Sequence, residues 1–128
     1  MDKRRARLAR LRTVCEEMKK IAEIRLARSK AERAAIAAAS EETAASLNAG
    51  TPLHGLFTEQ MTRRLSRLAA QGQSADAAIA RGEKQLQRDN LRLKGGEKLV
   101  AAAEAAARKH DAAAALAELI DRIGGRKR

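Results

Sequence analysis

Every seventh residue from Leu65 to Ala114 is apolar or small: Leu65, Gly72, Ile79, Leu86, Leu93, Val100, Ala107 and Ala114. A repeat of seven keeps one edge of a slightly underwound helix turned the same way along its length. The stretch therefore predicts a long helix lying against a partner helix. Ahead of it, Leu8, Leu11, Val14, Cys15, Met18, Ile21 and Ile24 recur at spacings of three and four, with Arg4, Arg5, Arg7, Arg10, Arg12, Lys19, Lys20, Arg25 and Arg28 between them. That pattern predicts a basic amphipathic helix with those apolar residues as its seam. Past Ile24 the seam thins to alanine, at Ala31, Ala34, Ala35, Ala38 and Ala39, with Ile36 among them.

Between the two patterns lies Asn48-Ala49-Gly50-Thr51-Pro52. Gly50 suits the left-handed position after a helix C-terminus, and Thr51 before Pro52 suits an N-cap and first helical position. So short a connection folds the second helix back on the first. The fold class expected is all-α: one domain over residues 1–128, two long helices in an antiparallel coiled-coil hairpin. The boundaries read as a helix over about 3–47, a turn over about 48–55, a helix over about 56–123 closed by Gly124-Gly125, and a basic tail over 124–128. Gly72, Gly82, Gly95 and Gly96 lie inside the second helix, each costing about 1 kcal/mol against alanine, and the Gly95-Gly96 pair is a place for a kink.

A turn centred near residue 52 makes the numbers of facing residues total about 104 or 105. Met18 then faces Leu86, Leu11 faces Leu93, Glu17 faces Arg88, and Glu41-Glu42 face Arg63-Arg64. At 1.5 Å per residue the helices run roughly 67 and 100 Å, so the second overhangs the first. Its last turns carry Leu116, Leu119, Ile120 and Ile123, a denser apolar stripe than the alanines before it and one without an intramolecular partner.

Composition narrows what such a hairpin does. Hydrophobic residues make up 45% of the chain, yet Phe57 is the only aromatic. Most of the rest is alanine, which favours helix but buries little side chain, so a thick globular core is excluded. A formal charge of +11 draws anionic partners: nucleic acid, anionic lipid or an acidic protein surface. The single cysteine, Cys15, fits a small buried apolar residue and a reducing compartment. The arginine-rich opening has no apolar core of a signal peptide, and Glu104, Arg108, Lys109 and Asp111 interrupt the alanine-rich stretch that would otherwise approach a membrane span. A cytoplasmic protein is expected.

Candidate chemistry is sparse. His54 and His110 stand apart, without a second ligand at metal-binding spacing, and Gly95-Gly96-Glu97-Lys98 lacks the frame of a phosphate-binding loop. The chain reads as no enzyme, with no metal, cofactor or small-molecule substrate. Nucleic-acid binding by the basic helix is the alternative to protein binding. Against it stand the absence of stacking aromatics and of zinc ligands. Phe57 and Met61 either close the hairpin tip against Leu47 and Leu53 or form a docking patch there with Leu65.

Three features together resemble the flagellar export protein FliJ and its type III secretion counterparts of the YscO kind. They are the opening run Lys3-Arg4-Arg5-Ala6-Arg7-Leu8-Ala9-Arg10-Leu11, the turn before mid-chain, and the closing segment from Glu97-Lys98-Leu99-Val100 through Arg108-Lys109-His110 to Leu119-Ile120-Asp121. The resemblance spans nearly the whole chain in architecture. It implies a non-catalytic stalk of an export apparatus that binds the hexameric export ATPase, couples it to the membrane export gate and, in some members, handles export chaperones. On this sequence the ATPase contact falls on Arg4, Arg5, Leu8 and Leu11 with Leu116, Leu119, Ile120 and Ile123, and the gate contact on Phe57, Met61 and Leu65. The location implied is cytoplasmic, peripheral at the export apparatus. The chain lacks tyrosine and has an alanine-rich second helix, both departures from that family's pattern.

Overall fold

The first 49 residues contain neither glycine nor proline and are rich in alanine, leucine, arginine, lysine and glutamate, the strongest helix formers. In the computed structural model, which describes residues 2–49 and 55–126, they form one helix, α1, Asp2–Asn48. The second helix, α2, spans Gly55–Arg126. The two pack against each other as an all-α hairpin, and no strand occurs among the described residues. Gly50, Thr51, Pro52, Leu53 and His54, on which the turn was read, lie outside the described residues, as do Lys127 and Arg128 of the tail.

The β-branched hydroxyl residues are accommodated by bonding back into their own helix. Thr13, Thr43 and Thr62 donate from Oγ1 to the carbonyls of Ala9, Ala39 and Thr58 at 3.1, 2.8 and 2.8 Å. With its hydroxyl satisfied, Thr43 can be buried on the face that meets α2.

The chain divides into two compact units, one of Met1–Lys19 with Asp89–Arg128, the other of Lys20–Arg88. In the second, a row of buried and half-buried positions runs along α1 through Ala22, Leu26, Ser29, Arg33, Ile36, Ser40, Thr43 and Leu47, in alternating steps of four and three. A matching row on α2 runs through Met61, Leu65, Leu68, Gly72, Ala75, Ile79, Gly82 and Leu86, stepping the same way. Arg33 crosses between the helices, its Nε donating to Asp76 Oδ1 at 2.7 Å. In the first unit Leu8, Cys15 and Lys19 occupy the corresponding face of α1, with Asp89, Leu93, Gly96, Val100, Ala103 and Ala107 on α2. The heptad ladder of α2 is thus present from Leu65 to Ala107; Ala114, its last member, is exposed.

The register differs from the one expected. Leu26 lies against Gly82 and Arg12 against Gly96, so facing numbers total 108, close to one helical turn from the predicted 104 or 105. The glycines of α2 supply the reason. A Cβ on Gly82 would stand 3.2 Å from Leu26 Cδ1, one on Gly72 3.4 Å from the Arg33 guanidinium, and one on Gly96 3.9 Å from the Arg12 backbone. Gly82 and Gly96 are two heptads apart, and so are Arg12 and Leu26, so both contacts form in the same register. Leu26 and the Arg33 guanidinium fill the space at Gly82 and Gly72, and at Gly96 it is the α1 backbone at Arg12 that comes close. Nor do Arg63 and Arg64 answer Glu41 and Glu42: Arg63 instead donates from Nη2 to Glu59 of its own helix at 2.7 Å.

The seam of α1 also differs. Leu8 and Cys15 face α2 as expected, but Leu11, Val14, Met18, Ile21 and Ile24 are all exposed. A two-helix seam uses one face along its whole length. The row through Cys15, Ala22 and Leu26 continues as Ser29, Arg33, Ile36, Ser40, Thr43 and Leu47. The row through Leu11, Val14, Met18 and Ile21 continues as Arg25, Arg28, Glu32, Ala35, Ala39 and Glu42. Burying the first costs less over the full length than burying the second, although the second is the more apolar for three turns.

Gly124 and Gly125 do not end α2, which continues through Arg126. Neither takes up the left-handed conformation of a helix-terminating glycine. Propagating an existing helix through them costs about 1 kcal/mol each and requires no new nucleus. α2 likewise passes through Gly95 and Gly96 unbroken. A Cβ at Gly95 would meet nothing within 4 Å, whereas one at Gly82 crowds Leu26. Gly95→Ala is therefore expected to stabilise the hairpin by about 0.5 to 1 kcal/mol, while Gly82→Ala returns little of that gain. Urea melts followed by circular dichroism at 222 nm check the pair, and equal gains at both sites would contradict the close packing at Gly82.

Candidate docking surfaces

A two-helix hairpin encloses little. No described side chain is fully buried, and the hydrophobic residues that fall in the buried class are Cys15, Ala22, Leu26 and Val100. The accessible surface is 10140 Å² for 13.9 kDa, against about 6,700 Å² for a globular monomer of that mass. Most of what the molecule can do therefore lies on its outside.

The first surface is the end of α2. Pairing with α1 brings Arg5 and Leu8 beside Val100, Ala103 and Glu104, and α1 starts at Asp2. Beyond Ala107 every described residue through Gly125 is exposed. Leu116, Leu119, Ile120 and Ile123 lie there at spacings of three and four, each 51 to 59% exposed. The overhang inferred from helix lengths is thus present in the structure.

The second surface is the outer face of α1. Leu11, Val14 and Met18 in the first unit, and Ile21 and Ile24 in the second, are large apolar side chains turned away from the seam. The sequence reading missed this surface by assigning the same residues to the hairpin core. The signal that would have found it is the fate of the row beyond Ile24, where Arg25 and Arg28 stand at the next two steps.

The remaining candidates are placed as follows. Arg4 and Arg5 are exposed near the start of α1, while Leu8 is half-buried against Val100 and Ala103. Phe57, Met61 and Leu65 are half-buried in the second unit, with Met61 and Leu65 on the row that faces α1. Leu53, proposed to close the tip with them, lies outside the described residues. Met61 also borders a shallow basic surface with Arg63, Arg64 and Arg67. Cys15 is a buried free thiol. Among the described residues no three His, Cys, Asp or Glu side chains come together as metal ligands, and no helix is long and apolar enough to cross a membrane.

Asp89 is buried on the seam row of α2, its carboxylate 3.8 Å from Arg92 one turn on. A charge at a seam position costs stability but fixes which heptads meet, since any slip would take it away from its partners.

Compared with known proteins, the chain matches no family model, and no curated protein or solved structure is significantly similar to it. Its functional reading rests on where the hairpin leaves apolar and charged side chains unpaired.

Proposed function

We propose that the protein is a non-catalytic interaction component, a stalk of a flagellar or type III export apparatus that binds the export ATPase hexamer and couples it to the membrane export gate. The observation that carries this reading is the overhang. Leu116, Leu119, Ile120 and Ile123 form a stripe that the chain extends past its own partner helix and leaves uncovered. At the end of the pairing from which that stripe extends stand Arg4 and Arg5, exposed on α1. An apolar stripe next to a basic patch suits insertion into a protein ring, with charge steering the approach and apolar contact holding it. The gate contact, and handling of export chaperones where it occurs, fall to Met61, Leu65 and Phe57 on this reading; as half-buried residues they present edges rather than whole side chains.

The test is co-purification with the hexameric ATPase. A variant carrying serine at Leu116, Leu119, Ile120 and Ile123 keeps every charge and, because those side chains are exposed, keeps the hairpin. Retention on the immobilised ATPase should fall by at least about tenfold. Undiminished retention of a still-helical variant would show that the overhang does not make the contact.

A further inference from the structure

The overhang stripe does not begin at Leu116. Traced back along α2 from Ile123, Ile120 and Leu116 in alternating steps of three and four, the same row continues through Ala113 and Lys109 to Ala106, Ala102 and Leu99. Each of these positions is exposed, and all lie in the first unit. They form a second heptad row on α2, beside the one through Leu93, Val100 and Ala107 that meets α1. Where α2 is paired, this row is one wall of a shallow groove: Leu99, Ala102 and Ala106 stand on one side, Arg4 and Arg5 of α1 on the other.

The row is divided by size. Its overhanging part carries large side chains, and its paired part has alanine at two of three positions. Laid antiparallel on itself about a two-fold axis near Asp111, it brings Ile120 onto Ala102, Leu116 onto Ala106 and Ile123 beside Leu99. Large side chains then enter the hollows over alanine in both halves at once. Lys109, the one charged member of the row, meets Ala113 and carries its ammonium outward on its apolar stem. In a parallel pair Lys109 would face its own copy, and the alanines would face alanines across a gap.

Charge agrees with size. The register through Arg12 and Gly96 sets Arg4 and Arg7 level with Glu104 and Ala101. An overhang lying antiparallel to α2 in the groove brings Glu118 and Asp121 to those two levels. All four side chains are exposed in the single chain, and the pairing Arg4 with Glu118 and Arg7 with Asp121 occurs twice by symmetry. Asp2, where α1 begins, is level with Ala106, short of the axis, so the two copies of α1 stay clear of each other.

We infer that the groove's occupant is a second copy of this chain, in an isologous dimer where the overhang of each lies in the groove formed by Leu99, Ala102, Ala106 and Arg4 of the other. Such a contact closes at two subunits. A patch of a few aliphatic side chains per copy belongs to the weak class of interfaces, with a dissociation constant on the order of 10 µM. At about 1 µM the chain is therefore monomeric, and its stability is that of the hairpin alone. The inference does not rest on the export reading; a ring that takes the stripe competes with the second copy for it. A lipid surface suits the row less well, since it has no aromatic anchor.

Sedimentation equilibrium of the full chain over about 1 to 300 µM reads the dimer directly. Ala102→Gln with Ala106→Gln fills the hollows without altering charge and should weaken dimerisation at least about tenfold while leaving the melting curve at about 1 µM unmoved. These substitutions keep every overhang side chain, so they separate this contact from the one with the ATPase. Charge reversal tests the pairing. Arg4→Glu with Arg7→Glu, and separately Glu118→Arg with Asp121→Arg, should each weaken self-association by roughly tenfold at low salt. An equimolar mixture of the two variants should recover wild-type affinity, because both halves of the mixed dimer then oppose acid to base. The proposal is overturned if the chain stays monomeric at the highest concentration, if it associates beyond two, or if the glutamine variant dimerises as tightly as the wild type. It is overturned too if the mixture associates no better than either variant alone, or if a chain that stays monomeric sediments with phosphatidylserine vesicles.

Discussion

Leu26→Ala is expected to lower the unfolding free energy by about 2 to 3 kcal/mol, while Ile24→Ala, two residues earlier on the same helix, changes it by less than about 0.5 kcal/mol. The sequence alone would rank them the other way, because Ile24 sits in the densest apolar run of α1. In the structure Leu26 is 8% exposed and Ile24 60%. Leu26 is also the side chain that fills the hollow over Gly82, and with no fully buried side chain elsewhere to share the load, its loss removes a large part of a thin core. The two single variants are compared by urea denaturation at matched m-value. A cost at Ile24 equal to that at Leu26 would return the seam to Leu11, Val14, Met18, Ile21 and Ile24. A double variant, Leu26→Ala with Gly82→Ala, sharpens the assignment. The methyl at 82 that crowds the wild-type leucine partly fills the space left in the variant, so the two substitutions together should cost less than the sum of each alone.

How legible the hairpin was depended on which helix was read. On α2 the correct row is also the most apolar one, and reading every seventh residue from Leu65 recovered it through Ala107. On α1 the two criteria conflict. The row with the best side chains over three turns is not the row that remains buriable over the whole helix, because Arg25, Arg28, Glu32 and Glu42 occupy its continuation. Local amphipathicity cannot decide between them, since the choice is made along the whole paired length of the partner helix. Register failed for a related reason. It was estimated from the turn, whereas in the structure the contacts at Gly82 and Gly96 mark it. The glycines of α2 were visible as a local cost in helix propensity; the close approach to them of the Arg33 guanidinium, the Leu26 side chain and the Arg12 backbone needed the second helix. The overhang followed from lengths alone, because unequal helices leave an unpaired end whatever their register.

The error on α1 also hid its outer face. A residue assigned to a core is not examined as a surface, so the exposure of Leu11, Val14 and Met18 in one unit, and of Ile21 and Ile24 in the other, became visible only after Cys15, Ala22 and Leu26 had been found to hold the hairpin together. Both uncovered stripes are dispensable for folding by this account, and that separates them from the seam experimentally.

Ending the chain at Ala107 is accordingly expected to leave the stability of the hairpin within about 0.5 kcal/mol of the full-length protein while abolishing whatever contact the overhang makes. All described residues from 108 to 125 are exposed, so they add no intramolecular burial that the truncated chain would lose. Their helix persists in the full-length protein because alanine-rich sequence propagates from the packed part of α2 without a fresh nucleus. Hydrogen exchange on the full-length protein provides the complementary measurement: amides beyond Ala107 should exchange through local fraying, far faster than those near Leu26 and Val100, which open only with the whole hairpin. If truncation instead lowered the urea midpoint substantially, the overhang would be packing against the chain or against another copy, and Leu116, Leu119, Ile120 and Ile123 would belong to the stability of the fold. If the midpoint holds and retention on the ATPase is lost with the segment, the stripe is kept for a partner. Four large aliphatic side chains on an unpaired helix end are a standing risk of non-specific association, and a partner that covers them is what offsets that risk.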